Sequence, residues 1–234
     1  MIGKFLYDGV MSSHFGIYIS GSGTYNAPER DVETISIPGR NGDLIIDNNR
    51  YKNVHVTYPA FIRQKFKTNA DAARRWLSKG YEYKRLEDSY HPEYFRMARF
   101  TGPLDFDMRF LNKSGECSIT FDCKPQRFLK AGEFVMQADE DIKLYNPTDE
   151  EALPLIRVYG SGDGVLAVGN NTMSISGLVD YMDIDSDTQN AYRGITNCNA
   201  NISKEFPVLL KGSTGISFSG GITKIEIKPR WWTV

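Results

Sequence analysis

The sequence contains three histidines, His14, His55 and His91, and all of them lie in the first half of the chain. No two of them have the i, i+4 spacing of a helical zinc site, and no Cys-x-x-Cys motif accompanies them. His55 alternates with apolar residues in a β pattern, so we expect it on an exposed face or in a subunit contact. The histidines therefore favour neither a metal site nor a catalytic centre.

The three cysteines are Cys117, Cys123 and Cys198. Their odd number, together with an N-terminus in which we expect no secretory signal, indicates synthesis in a reducing cytosol. Cys117 and Cys123 fall in one predicted strand, where the rise per residue places them about 20 Å apart. Because a disulfide requires Cα atoms within about 7 Å, we predict that these two cysteines are unpaired, small buried side chains.

Two further segments contain residue types that bind metals or phosphates. Asp183–Asp187 resembles the start of a calcium loop, but Thr188 and Gly194 occupy the positions at which an EF-hand has Gly and Glu. A looser calcium site stays open, although acids that cap turns at a strand end are more typical of this pattern. Gly160–Gly164 has neither the P-loop nor the dinucleotide-binding spacing, and it predicts a hairpin turn.

The sequence offers no catalytic constellation. It contains no Gly-x-Ser-x-Gly motif. It also favours no particular pair of acids for a glycosidase, because that pairing depends on a three-dimensional distance. We therefore predict no catalytic, cofactor-binding or metal-binding residue and no cofactor, and we expect that the protein is not an enzyme.

The segment from Arg63 to Arg85 is basic, with eight Lys and Arg residues against Asp71 and Glu82, and aromatic residues are interspersed. One interpretation is nucleic-acid binding. The other is a solvated helix face or a contact with an acidic partner. Since no recognised nucleic-acid-binding module accompanies the segment, the second interpretation is favoured.

The composition is that of an ordinary soluble globular protein, with 41% hydrophobic and 24% charged residues among 234. It excludes a disordered, collagen-like or coiled-coil chain, and no segment has the length of a membrane span. Residues 1–130 contain 20 Lys and Arg against 15 Asp and Glu, a net charge of +5, whereas residues 131–234 contain 8 against 14, a net charge of −6. This change predicts a domain boundary near residue 130.

Most of the chain has β periodicity. Apolar residues alternate with polar ones over 104–110 and again over 117–123, which predicts a hairpin closed by Asn112–Glu116. Pro38–Gly42 predicts a tight reversal between two further strands, and Gly220-Gly221 predicts another hairpin. Many short strands separated by turn signals are typical of a β-sandwich or barrel.

One segment has helical periodicity instead. Thr68 and Asp71 resemble a capping box, apolar residues follow at helical spacing, and Lys79-Gly80 is a stop signal. We therefore predict a single helix at residues 69–79.

Short segments in a fixed order resemble the distal tail protein (Dit) family of long non-contractile-tailed phages that infect Gram-positive bacteria. Each segment is weakly specific alone, but together they span nearly the whole chain. They are Phe5–Gly9, Phe15–Ile17, Ile35–Asp43, Tyr51–Asn53, Glu151–Ile156, Tyr181–Asp187, Asn190–Tyr192, Glu205–Pro207, Ile216–Phe218 and Ile225–Trp232.

The resemblance implies a mainly β protein of two domains. Residues 1–130 would form an N-terminal β domain with one helix near 69–79, which assembles into a homohexameric ring. Residues 131–234 would form a C-terminal galectin-like β-sandwich.

The resemblance also implies a structural hub in the virion tail tip. The ring would join the tail tube protein to the tail-associated tip protein or baseplate and to a receptor-binding protein. DNA and the tape-measure protein would pass through its lumen without specific binding, and no membrane partner is implied.

Two alternatives stay open. One is a carbohydrate-binding or wall-degrading accessory protein of the tail tip, in which Trp231 or Trp232 would supply an aromatic platform for a sugar. A galectin-like fold does not itself imply sugar binding, and the second half of the chain lacks the histidine of galectin sites. The other alternative is a cytosolic nucleic-acid-binding β protein.

Overall fold

The computed structural model describes residues 2–21, 26–109, 113–203 and 205–234. The chain divides into two compact units. Unit 1 comprises Met1–Arg127 together with Val234, and unit 2 comprises Phe128–Thr233. In the described ranges, no helix is long and apolar enough to cross a membrane.

Unit 1 is built on an antiparallel sheet. Its strands are β1 (Phe5–Tyr7), β2 (Val10–Met11), β3 (Ile17–Ile19), β4 (Arg30–Ile35), β5 (Leu44–Tyr51), β6 (Val54–Ile62), β7 (Lys84–Asp88), β8 (Tyr94–Phe100), β9 (Phe106–Arg109) and β10 (Ser114–Cys123). The main sheet has the order β2-β1-β7-β8-β10-β6-β3, and β9 pairs with the first part of β10. β4 and β5 form a separate two-stranded sheet.

The core of unit 1 lies on one face of this sheet. β6 alternates buried and less buried residues along its whole length, as its sequence predicts. The rings of Phe5, Tyr58 and Phe121 pack within 5.6–6.1 Å of one another. Each such aromatic pair contributes about 0.5–1.5 kcal/mol beyond its buried area.

The predicted hairpin over residues 104–123 is confirmed where the structure describes it. β9 pairs with β10 in a register that joins Arg109 to Ser114. Phe110 of the predicted strand and Asn112 of the predicted connection lie outside the described residues, and β10 begins at Ser114, within that predicted connection.

The predicted single helix is confirmed, but its bounds and its cap are wrong. The helix α1 spans Phe66–Leu77, so Thr68 lies inside its first turn. Lys65, in a left-handed conformation with φ of 50°, is the N-terminal flanking residue, and no side chain caps the helix. Phe66 is buried, and the centroid of its ring lies 5.6 Å from that of Phe106 in an edge-to-face arrangement. Burial of this ring, rather than a capping hydroxyl, accounts for where the helix begins.

Unit 2 combines three long strands, of 14, 15 and 17 residues, with several short ones. Its strands are β11 (Arg127–Leu129, whose first residue belongs to unit 1), β12 (Met136–Ala138), β13 (Ile142–Asn146), β14 (Leu155–Val168), β15 (Asn171–Asp185), β16 (Asn190–Arg193), β17 (Thr196–Asn197), β18 (Gly212–Lys228) and β19 (Trp232–Thr233). The sheet has the order β12-β18-β14-β15-β16-β17, and β13 pairs with the first part of β18.

The hairpin turns predicted at Gly160–Gly164 and at Gly220-Gly221 are wrong. β14 and β18 run through these glycines, and their pairing register shifts there. A Cβ atom on Gly160 would lie 1.8 Å from the carbonyl oxygen of Gly221, so only glycine permits the two backbones to approach this closely. β14 turns instead at Gly169-Asn170.

The bends at these glycines allow one sheet to enclose its own core. Ile156 precedes the bend in β14 and Leu166 follows it, yet both are fully buried in one apolar cluster. Ile216 and Ile227 occupy the corresponding ends of β18 in the same cluster. Both halves of the sheet therefore contribute side chains to one core.

Candidate assembly surface

The most exposed structured part of unit 1 is the β4–β5 arm, residues 30–51. Among the described residues, its two strands pair only with each other, joining Ile35 to Leu44 and Val32 to Asp47. The predicted reversal at Pro38–Gly42 closes the arm and is confirmed. A two-stranded hairpin without further packing is at best marginally stable in water. The arm therefore lacks the packing that stabilises the other strands.

Both faces of the arm are apolar. Residues that face each other in an antiparallel pair lie on the same side of the sheet, so the register places Ile35, Leu44 and Ile46 on one face. Val32 and Ile45 lie on the other face. All five are exposed, and 65% of the Ile45 surface is accessible. Exposed apolar side chains on two opposite faces are typical of an element that contacts a partner.

Ion pairs lie at the base of the arm. The Arg30 guanidinium lies 2.9 Å from Asp47, and Arg50 lies 2.6 Å from Asp31. The backbone N–H of Asn49 and the guanidinium of Arg30 lower the pKa of the Asp47 carboxyl. Such exposed pairs contribute little stability, but they align the strands at the base and leave the apolar faces toward the tip.

The acids of the Asp183–Asp187 segment bind arginines. Asp183 accepts two hydrogen bonds from Arg157, and Asp185 accepts two from Arg230. Asp185 also accepts hydrogen bonds from the backbone N–H groups of Asp187 and Thr188, so it caps the turn as predicted. In the ranges that the structure describes, no group of three or more His, Cys, Asp or Glu residues could hold a metal ion.

Comparison with solved structures identifies the fold. The chain superposes on SPP1 Dit (gp 19.1), described as a paradigm of the hub adsorption apparatus in phages that infect Gram-positive bacteria, with a TM-score of 0.78. The alignment covers 100% of both chains at 10% sequence identity. The chain has a Dit-like fold. The predicted mainly β architecture with one helix is thereby confirmed.

A second structural relative is a chain of the phage P2 baseplate in its activated conformation with Ca. It aligns over 98% of both chains with a TM-score of 0.51 and 11% identity. No protein-family model matches the sequence, and no curated protein matches it. At these identities the likeness establishes the fold alone.

The Dit-like fold separates the basic residues of the Arg63–Arg85 segment. Arg74 and Arg75 are exposed on α1, whereas Lys84 lies on β7, 2.6 Å from the carboxylate of Asp8. The segment therefore contributes to a helix and to a strand, and part of its charge is paired.

The residues proposed as an aromatic platform have structural contacts. Trp231 is buried in the core of unit 2, with only 5% of its surface accessible, so it cannot stack on a sugar in this fold. Trp232 is half-buried and donates its indole N–H to the carbonyl of Glu151 at 2.8 Å. The burial of Trp231 could have been predicted from the sequence, because Trp231 continues the period-two alternation of the buried Ile225 and Ile227.

The histidines are dispersed in unit 1. His14 and His55 are exposed, and His55 lies on the face opposite Val54 and Val56, as predicted. The half-buried His91 lies with its Nδ1 3.5 Å from the carboxylate of Asp88. The sequence did not indicate this proximity.

Replacing Asp185 with asparagine is expected to destabilise unit 2 by about 2–3 kcal/mol at pH 7, because it leaves the Arg230 guanidinium without its counter-charge. Although burial opposes the shift, Arg230 and two backbone N–H groups hold the pKa of Asp185 below its ordinary value. The stabilisation is therefore fully present above about pH 4, the ordinary aspartate value, and is lost as the pH falls through the lowered pKa.

Urea unfolding of the natural protein and the Asp185→Asn variant between pH 7 and pH 2 measures this difference. The exposed Asp187→Asn change is the control and is expected to alter the unfolding free energy by less than about 0.5 kcal/mol. A difference between Asp185→Asn and the natural protein that stays constant down to pH 2 would contradict the assignment.

Cys117 and Cys123 are unpaired in β10, as predicted. Burial raises the pKa of each thiol to about 12. Both thiols are expected to react with iodoacetamide at pH 7.5 about 100-fold or more slowly than in the urea-unfolded chain, because the thiolate is the reactive form. Peptide mass spectrometry of timed samples measures both rates, and equal rates in the two states would contradict the burial of these thiols.

Proposed function

We propose that this chain is a structural, non-enzymatic hub protein of a phage tail tip. The observation that carries the proposal is the full-length match to SPP1 Dit, a protein described as a hub of the adsorption apparatus. The further likeness to a baseplate chain supports the same kind of role. The protein would accordingly be located in the virion tail.

We propose further that six copies form a ring through the domain of residues 1–130. A cyclic ring requires a heterologous contact, in which one surface of each copy meets a different surface of the next. The β4–β5 arm suits such a contact, since its two apolar faces are uncovered in a single copy. In the assembly, the arm of one copy would lie against its neighbour.

The proposal assigns the remaining partners by position. The ring would bind the tail tube protein on one side and the tail-associated tip protein, with or without a receptor-binding protein, on the other. DNA and the tape-measure protein would pass through the lumen. The domain of residues 131–234, a galectin-like sandwich in this proposal, would project outward.

Negative-stain electron microscopy of the chain mixed with its tail tube protein tests the proposal. The expected result is a ring of the chain bound at one end of each tube. Tubes with bare ends at a molar excess of the chain would contradict it.

The alternative of carbohydrate binding has one feature in its favour, a surface groove of about 470 Å³ in unit 2. Asp163, Ser174 and Asn201 line it and supply polar groups suited to sugar hydroxyls. None of the described residues that line it is aromatic, so it lacks the stacking surface that a sugar ring requires. Saturable glycan binding that Asp163→Ala abolishes would favour this alternative over the hub.

A further inference from the structure

A second feature of unit 1 is a small cavity beside the end of β7 and the start of β8. Its volume is about 30 Å³, which suits a small ion or water rather than a polymer. The residues that line it are Val56, Tyr58, Leu86, Asp88, His91, Tyr94, Phe95, Arg96 and Arg127. The cavity therefore combines two guanidinium groups, an imidazole and one carboxylate.

The two arginines of this cavity have no carboxylate partner. Arg96 is half-buried, and its Nη1 donates one hydrogen bond, at 3.3 Å, to the carbonyl of Pro125. The Arg127 guanidinium lies 4.4 Å from the centroid of the Tyr94 ring. Across the described part of the chain, neither arginine lies within 4.0 Å of an acidic oxygen. Burial lowers the pKa of Arg96, and the charge of the neighbouring Arg127 acts in the same direction, although the charge of Asp88 opposes them.

The one carboxylate in the cavity is engaged by other donors. The Tyr58 hydroxyl donates to Oδ2 of Asp88 at 2.7 Å. The backbone N–H groups of Tyr90 and His91 both donate to Oδ1 at 2.9 Å. Asp88 therefore stabilises the loop after β7 rather than pairing with Arg96, and the cavity retains an excess of positive charge.

We propose that this cavity binds a phosphate-class oxyanion between Arg96 and Arg127. Guanidinium groups bind oxyanions through paired N–H donors, and a charge left half-buried without a counter-ion is costly. Two guanidinium groups match a dianion better than a singly charged carboxylate. The small volume selects free phosphate over the phosphates of a nucleic acid. This site is independent of the proposed ring contact, because none of its residues lies in the β4–β5 arm.

Thermal unfolding of the full chain with inorganic phosphate tests the site, with sodium chloride at equal ionic strength as the reference. Phosphate is expected to raise the Tm with the logarithm of its concentration above the Kd, by about 5 °C at 100 times the Kd. Arg96→Gln should abolish the rise, whereas the exposed Arg75→Gln on α1 should retain it. If Arg96→Gln does not fold, Arg127→Gln provides the same comparison, and ³¹P NMR line broadening reports binding directly.

Four results would overturn the proposal. The first is the absence of a Tm rise in the natural protein beyond that given by sodium chloride. The second is a rise in Arg96→Gln and Arg127→Gln equal to that of the natural protein. The third is an equal rise with acetate, which would assign the cavity to carboxylates. Short duplex DNA is a further arm of the experiment, and DNA binding that Arg96→Gln abolishes would overturn the choice of a free ion.

Discussion

Replacing Ile46 with lysine is expected to abolish the proposed ring while leaving each copy folded. Ile46 shares one exposed face of the β4–β5 arm with Ile35 and Leu44, and this face is uncovered in a single copy. In the ring it would be buried against a neighbour, where an unpaired ammonium group is strongly unfavourable. In the single copy the side chain stays in solvent, so the free energy of unfolding should change by less than about 0.5 kcal/mol.

The matched control for this variant is Ile195→Lys. Ile195 is a fully exposed isoleucine in the turn between β16 and β17 of unit 2, far in the sequence from the arm. Sedimentation velocity over a concentration series, with the tail tube protein added where the natural protein needs it, should show a ring for the natural protein and for Ile195→Lys. The Ile46→Lys variant should remain a single copy under the same conditions. Rings of equal size in all three proteins would exclude the arm from the contact.

The second large effect is expected from Gly221→Ala, which should destabilise unit 2 by about 3 kcal/mol or more, or prevent its folding. A Cβ atom at this position would lie 2.1 Å from the carbonyl oxygen of Ser161. This clash involves backbone atoms, which cannot move without opening the pairing of β14 with β18. The bend that lets the sheet enclose its core would then be lost.

Gly215→Ala is the control in the same strand. A Cβ atom on Gly215 meets no atom within 4 Å, so this variant is expected to match the natural protein within about 0.5 kcal/mol. Urea denaturation followed by circular dichroism measures both variants. If Gly221→Ala were as stable as Gly215→Ala, the close approach of the two strands would be contradicted.

The sequence predicts those parts of the fold in which local pattern and tertiary burial agree. In β6 the period-two alternation corresponds to one buried face, because a single sheet face packs on the core. The same agreement holds for the buried face of α1, although not for its start. There the local capping signal at Thr68 competes with burial of Phe66, and burial determines the boundary.

The glycine-rich segments show where local pattern is insufficient. Gly160–Gly164 and Gly220-Gly221 have the composition of hairpin turns, and local rules cannot distinguish a turn from a bulge in a continuing strand. The difference depends on the partner strand, since each segment requires glycine only because the other lies against it. A pairing between segments about 60 residues apart has no local signature.

The two candidate sites were equally hard to predict. The reversal at Pro38–Gly42 indicates a hairpin, but only the structure reveals that its strands pair with no others in the described part of the chain. Arg96 and Arg127 occur in ordinary β segments about 30 residues apart, and only the fold brings both to the cavity that Asp88 also lines. Sites of this kind are formed by tertiary contacts rather than by a motif.

Native mass spectrometry of the full chain, over a concentration series, tests the central claim that the protein is a ring-forming hub. The account predicts a species of six times the 26.5 kDa chain mass, either for the chain alone or after addition of its tail tube protein. A mass of one copy at every concentration, both alone and with the tail tube protein, would contradict it.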